Sequence, residues 1–213
     1  MTTTFRISAL VLALAFAFAA RAGATPAPQP AAHTASSAQP ADADTTPPSY
    51  DLKAQSLVDL DDLQKKFVSL AKAVPADKYG WRPMPGVRSF GEIFLHVAGT
   101  NFDLAPAIGA APIPDFKAKD YDKSQLDKAQ IVDKLNQSFE YAHNAIEKMS
   151  NADFKKPLKQ FGPDANAGDI VYLIVTHTHE HLGQSIAYAR MNGVVPPWTA
   201  AAQQKMQQQR PPQ

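Results

Sequence analysis

The chain has 213 residues, 45% of them hydrophobic, with 21 Lys and Arg against 20 Asp and Glu and a formal net charge of +1. With acids and bases interspersed along the sequence, there is no electrostatic case for nucleic acid, whose phosphates call for a basic surface. The lack of any cysteine excludes disulfides, thiolate metal ligands and a cysteine nucleophile.

Met1 to Ala24 has the parts of a signal peptide: Arg6 gives the positive start, Ile7 to Ala20 is an apolar run, and Ala22-Gly23-Ala24 offers a cleavage site between small residues. The run is shorter than the roughly 20 residues that cross a bilayer. No later segment is apolar enough to be a second span, and no cysteine is present to carry a lipid. The expectation is a secreted or periplasmic protein with no stable membrane span once mature. Residues 25–49 are rich in Pro, Ala, Thr, Ser and Gln. They lack the large apolar side chains that offset ordering entropy, so they read as a disordered tether in which His33 is idle. The polar end, residues 200–213, reads as a disordered tail. Residues 50–199 remain, about one domain's worth of chain.

Within that domain a first helix is expected from Tyr50 or Asp51 to about Val74, because Leu57, Leu60, Phe67, Leu70 and Val74 recur at helical spacing and Pro75 ends the run. Pro75 to Val87, with three prolines and two glycines, is a connector. A second helix starts at Ser89, where Ser89 and Glu92 form a capping box. It buries Phe90, Ile93, Phe94, Val97 and Leu104, with His96 at the border of that face. Ile108 to Tyr121 is a loop or crossover broken by Gly109, Pro112 and Pro114. A third helix is expected from about Ser124 to Met149, carrying Leu126, Ile131, Leu135, Ala142, Ile146 and Met149 on one side and His143 beside them. Asn151 to Ala165 is another long connection. The fourth helix caps at Asn166, has Asp169 in its first turn, and ends at Gly193 before Pro196-Pro197. Val171 to Val175 alone would suit a strand, but the longer period and the caps favour helix. With no alternating strand set and no repeat, the expectation is an all-α four-helix bundle.

The chemistry concentrates in Thr176 to Gln184, THTHEHLGQ. His177 and His181, four apart, stand one turn above each other on one helix face, whereas His179 faces elsewhere. A bundle builds metal sites from facing helices, so His96 is the best candidate to complete the pair. Three neutral imidazoles suit one divalent ion, Zn, Ni, Fe or Mn, and leave open positions for water or a small molecule. The alternative is a pair of histidines that merely pack. The segment is not H-E-x-x-H: no histidine stands four residues after His179, and Glu180 is not in that motif's base position. His143 lacks a second ligand at helical spacing and reads as a surface or packing residue. Asp103, two turns or about 10.5 Å along the helix from His96, lines the cavity or acts as a base rather than ligating the same ion. Gln184 is placed to support His181. Trp81, Tyr188 and Trp198 shape a pocket or pack in the core.

Trp81-Arg82-Pro83, then Gly86-Val87-Arg88-Ser89-Phe90-Gly91-Glu92 and His96, resembles the segment entering helix two of the DinB-like family. His177-x-x-x-His181-Leu182-Gly183-Gln184 is similar to that family's H-x-x-x-H-x-G-Q ending, and the likeness spans Leu52 to Met191. The resemblance implies a four-helix bundle with a divalent metal held by His96, His177 and His181, pairing as a homodimer. It further implies a metal-dependent enzyme, read here as a hydrolase acting on a small-molecule substrate. Related proteins include thiol-dependent transferases. The export signal argues against that chemistry, because an oxidising compartment is a poor place for a reduced thiol. A non-catalytic bundle that binds a small ligand or the metal is the other alternative.

Overall fold

In a computed structural model the described residues are 51–209. The expected signal peptide (1–24), the tether (25–49) with His33, and the last four residues of the expected tail lie outside the described residues. Four long helices form the body. The first, α1 (Leu52–Ala73), starts where the Asp51 side chain accepts from the N–H of Ala54 and stops before Pro75, whose missing N–H and fixed φ prevent another turn. The second, α2 (Phe90–Leu104), opens on the expected box, in which Ser89 and Glu92 each satisfy an N–H of the other. The third, α3 (Lys128–Lys148), begins later than expected. The side chains of Asp127 and Gln130 make a capping box there, and Tyr121–Lys123 forms a separate helical turn ahead of it. The fourth, α4 (Ala167–Met191), is capped by a third such box, between Asn166 and Asp169.

The end of α4 explains why Gly193 stands there. The N–H groups of Val194 and Gly193 reach back to the carbonyls of Ala189 and Arg190, the paired bonds of a Schellman ending. That ending needs a left-handed residue, and Gly193 has φ 71°. The chain then enters a fifth helix, α5 (Pro197–Gln208), which corrects the expected disordered tail as far as Gln208. Pro197 occupies the first turn, where its preset φ suits a helix start. Ala200 to Ala202 and the glutamines that follow have good helix propensity, and α5 lies against α1. The fold is all-α, with no strand among the described residues beyond one isolated bridge between Pro157 and Asn166.

Helix α2 is the hub, packing on α3 and α4 while α1 covers the other side of both. Glu92 and Asp103 are its only acids and it carries no Lys or Arg, so almost every side of it can be buried. An aromatic chain runs through the core from Phe139 to Phe67 (5.9 Å between ring centroids), Phe94 (6.3 Å), Phe90 (5.9 Å) and Tyr188 (5.6 Å). Each ring removes a large apolar area from water, and tilted or edge-on pairs add about 0.5–1.5 kcal/mol apiece. Trp81 closes the chain at 5.2 Å from Tyr188, and Trp198 packs against the same core. Tyr188 and the phenylalanines are core residues, and Trp81 and Trp198 are partly buried against them. Their effect at the site is to fix where α4 lies against α2. None of the helices among the described residues is long and apolar enough to cross a membrane.

Candidate metal centre

The packing of α2 on α4 brings His96, His177 and His181 together, with one ring nitrogen from each lying within 4.8 Å of the others. Ring centroids are 4.9 Å apart for His96 and His177, 4.8 Å for His96 and His181, and 4.5 Å for His177 and His181. The two Nε2 atoms of His96 and His177 face each other at 3.0 Å. Two imidazole nitrogens at about 2.0–2.1 Å from one tetrahedral ion lie roughly 3.3 Å apart, so the spacing fits a shared ion with little adjustment. The four-residue step on α4 and the border position on α2 are both as the sequence implied. His179 is exposed, pointing away from the cluster.

The protonation states favour ligation. Burial, followed by the nearby charges of Arg88 and His181, holds the pKa of His96 down from 6.5 to about 4, against a smaller upward pull from Asp122. Burial, then His181, His96 and Arg88, holds that of His177 down to about 4 as well. At neutral pH both rings are therefore uncharged and offer a lone pair, the form an ion requires. His181 is oriented differently: its Nδ1–H donates to Oε1 of Gln184 at 2.8 Å. A carbonyl oxygen can only accept, so the proton sits on Nδ1 and Nε2 is left free to ligate. The amide of Gln184 is fixed in turn by donating to the Tyr188 hydroxyl at 3.2 Å. Nδ1 of His177 is buried with no hydrogen-bond partner. The residues present fit a divalent ion by donor type, spacing and protonation.

His96 and His181 form part of the wall of a cavity of about 920 Å³, within the usual size of a small-molecule site. Asp103 does line it, as expected, and Glu180, the residue before His181, lines it too. Both carboxylates are exposed. Another part of the wall is the segment 118–123, most of which falls in the expected Ile108–Tyr121 loop. It lies on α2 because Gly99 has no side chain: a Cβ there would stand 3.0 Å from Cδ1 of Tyr121. Asp122 in that wall accepts from Nε of Arg88 at 2.8 Å. A glycine three residues after His96 on a helix that is otherwise well formed was the only sequence signal for this wall. His143 takes no part; its Nε2 lies 3.3 Å from Asp61 Oδ1 on the α1–α3 side.

A profile of the DinB superfamily matches residues 59–185. No curated protein matches the chain. Among solved structures, a DinB-like protein from Bacillus cereus is similar in fold. Its TM-score is 0.58 at 14% identity, over 68% of this chain and 95% of that one.

Proposed function

The chain belongs to the DinB superfamily, and from that membership and the histidine cluster we propose that it is an exported protein holding one divalent ion through His96, His177 and His181 and using it to hydrolyse a small molecule. The observation that carries the reading is the convergence of three imidazoles, with His96 and His177 kept neutral and His96 and His181 in the wall of a roomy cavity. Three protein ligands leave a coordination position open, which is the pattern of catalytic rather than structural sites.

The ion, when bound, would supply Lewis-acid polarisation of a substrate oxygen and acidification of a bound water. The residues of the chain do the rest. His96 approaches from α2 and His177 and His181 from α4, so the site depends on the aromatic seam that fixes those helices against each other. Gln184 keeps the proton of His181 on Nδ1 and its Nε2 turned to the centre. Asp103 and Glu180 are the carboxylates in the cavity wall able to take a proton from a water or pass one to a leaving group. Export follows from residues 1–24, and the homodimer implied by the family resemblance belongs to the same proposal.

The test is elemental analysis of the untagged mature protein beside His96→Ala and His181→Ala, with melting measured in Zn, Ni, Fe and Mn. About one equivalent per chain, lost in both variants, is expected, and ester, amide and thiol-transfer substrates are then screened. No metal in the wild type and no change in melting with any ion would remove the enzyme reading. Metal present but no turnover on any substrate class would favour the ligand-binding bundle.

A further inference from the structure

The cavity wall holds a cation where a cation site would least want one. Arg88 lines the same cavity as His96 and His181. A guanidinium so placed opposes the binding of a divalent ion, so it lowers the affinity of the proposed centre. The arrangement becomes favourable when the cavity takes an anion, which satisfies the guanidinium and the ion together.

The bonding of Arg88 leaves it ready for that. Its Nε donates to Asp122, and its two terminal amino groups have no protein partner among the described residues. Asp122 thus holds the guanidinium plane while the outer edge, a fork that matches a planar oxyanion, stays available. The other bases of the cavity are differently placed. Arg82 spends both amino groups, on the carbonyl of Val87 at 2.9 Å and on Glu92 at 3.1 Å, and so pins the connector to the start of α2. Lys123 is paired with Asp120 at 2.6 Å and is mostly exposed.

We propose that Arg88, oriented by Asp122, is the residue that receives the carboxylate of the ligand, so that the cavity takes a small monocarboxylic acid whose remainder reaches the three-histidine centre. A single carboxylate is favoured over a phosphate by the rest of the wall. Once the ion pairs are set aside, Lys119 stands against Asp103 and Glu180, a surplus of negative charge that opposes a dianion more than a monoanion. The part of the ligand assigned to the histidines rests on the metal reading above; the part assigned to Arg88 does not.

The experiment is calorimetric titration of the zinc-loaded and metal-free protein with benzoate, with benzamide as its uncharged analogue and with inorganic phosphate, using wild type, Arg88→Gln and Arg88→Lys. Expected is benzoate binding that weakens about tenfold or more in Arg88→Gln and is partly restored in Arg88→Lys, since one charged donor replaces a fork. Benzamide should bind weakly and equally to all three. In the same variants zinc affinity should rise severalfold in Arg88→Gln, the charge opposing the ion having gone. Benzoate affinity indifferent to Arg88→Gln, benzamide matching benzoate, or phosphate displacing benzoate from Arg88 would each overturn the proposal. The two readings fail separately. Arg88-dependent benzoate binding in a protein that takes no metal supports this assignment and removes the metal centre, and one zinc per chain with Arg88-independent benzoate binding does the reverse. Melting of each variant and recovery in Arg88→Lys guard against a loss of fold.

Discussion

His181 and Gln184 are joined by a 2.8 Å hydrogen bond from Nδ1–H to Oε1, and Gln184 is itself held by the hydroxyl of Tyr188. Two turns of α4 thus connect the aromatic core to a ring of the candidate centre, and the core sets which nitrogen of His181 is free. Removing the acceptor should leave the helix intact but let the ring turn and change tautomer. Gln184→Leu is expected to weaken metal binding by about 10–100-fold, the usual effect of losing such a partner. Competition against a chelator of known affinity measures it, with circular dichroism to check the helix. Tyr188→Phe removes only the anchor of the amide and should cost less. Equal metal affinity in wild type and Gln184→Leu would mean that His181 does not ligate through the nitrogen this bond leaves free.

Acid should act on the metal-free protein through His96 and His177. Burial lowers both from 6.5 to about 4, so the unfolded chain binds protons at a higher pH than the folded one. Their contribution is fully present above 6.5 and is lost as pH falls towards about 4. Urea unfolding at a series of pH values between 7 and 4 should show a fall in stability over that window. The fall should be smaller in a His96→Ala, His177→Ala double variant, which keeps the carboxylates and removes the two rings. Metal affinity should decline over the same range as protons compete for the lone pairs. A double variant with the same pH slope as wild type would place the acid sensitivity elsewhere.

Gly99 and Tyr121 make the third case. A methyl group at 99 would stand 3.0 Å from Cδ1 and 3.4 Å from Cβ of Tyr121. Because that ring also packs at 5.2 Å from Phe116 and 6.3 Å from Phe102, it has little room to move. Gly99→Ala should therefore push the 118–123 wall outward, at about 1–3 kcal/mol in the manner of overpacking, partly offset by alanine's better helix propensity. Faster hydrogen exchange confined to residues 118–123, with α1 and α3 unchanged, is the expected signature. If exchange there stays as in wild type, the wall is not seated on α2 through this contact.

Much of this was legible in the sequence because it was written in local chemistry. Asp51, Ser89 and Asn166 cap helices through side chains that bond residues three further on, a pattern that needs no knowledge of the rest of the fold. His177 and His181 share a face by helical geometry alone, and His96 could be joined to them once a bundle was assumed. α3 starts later than its apolar period suggests because Leu126 continues that period, while Asp127 and Gln130 satisfy the helix end just after it. Pro197–Gln208 is helical without a sequence signal because Ala and Gln carry no amphipathic pattern, yet they form a helix well once Trp198 anchors it to the core. Beyond Gly99, nothing in the sequence marks the 118–123 wall or the role of Asp122. They depend on a loop folding back on α2, and the separation between Arg88 and Asp122 along the chain leaves no spacing rule to follow.

Gly183 offers a last test, and it bears on how the protein assembles. It sits mid-way along α4, exposed, with nothing within 4 Å of where a Cβ would be. A glycine in a helix interior costs about 0.5–1 kcal/mol relative to alanine, because the unfolded chain loses more freedom there. In an isolated chain Gly183→Ala should therefore be stabilising, and for a domain of this size a gain of that order raises Tm by about 1–4 °C. The outcome changes if a second copy lays a helix across this face, since an added methyl would then hold the two backbones apart. Thermal melting and light scattering on the same sample separate the cases. A higher Tm with unchanged mass means that the outer face of α4 is free in solution. A lower Tm accompanied by dissociation would place the homodimer contact at Gly183 and explain why a residue so costly to the helix stands within it.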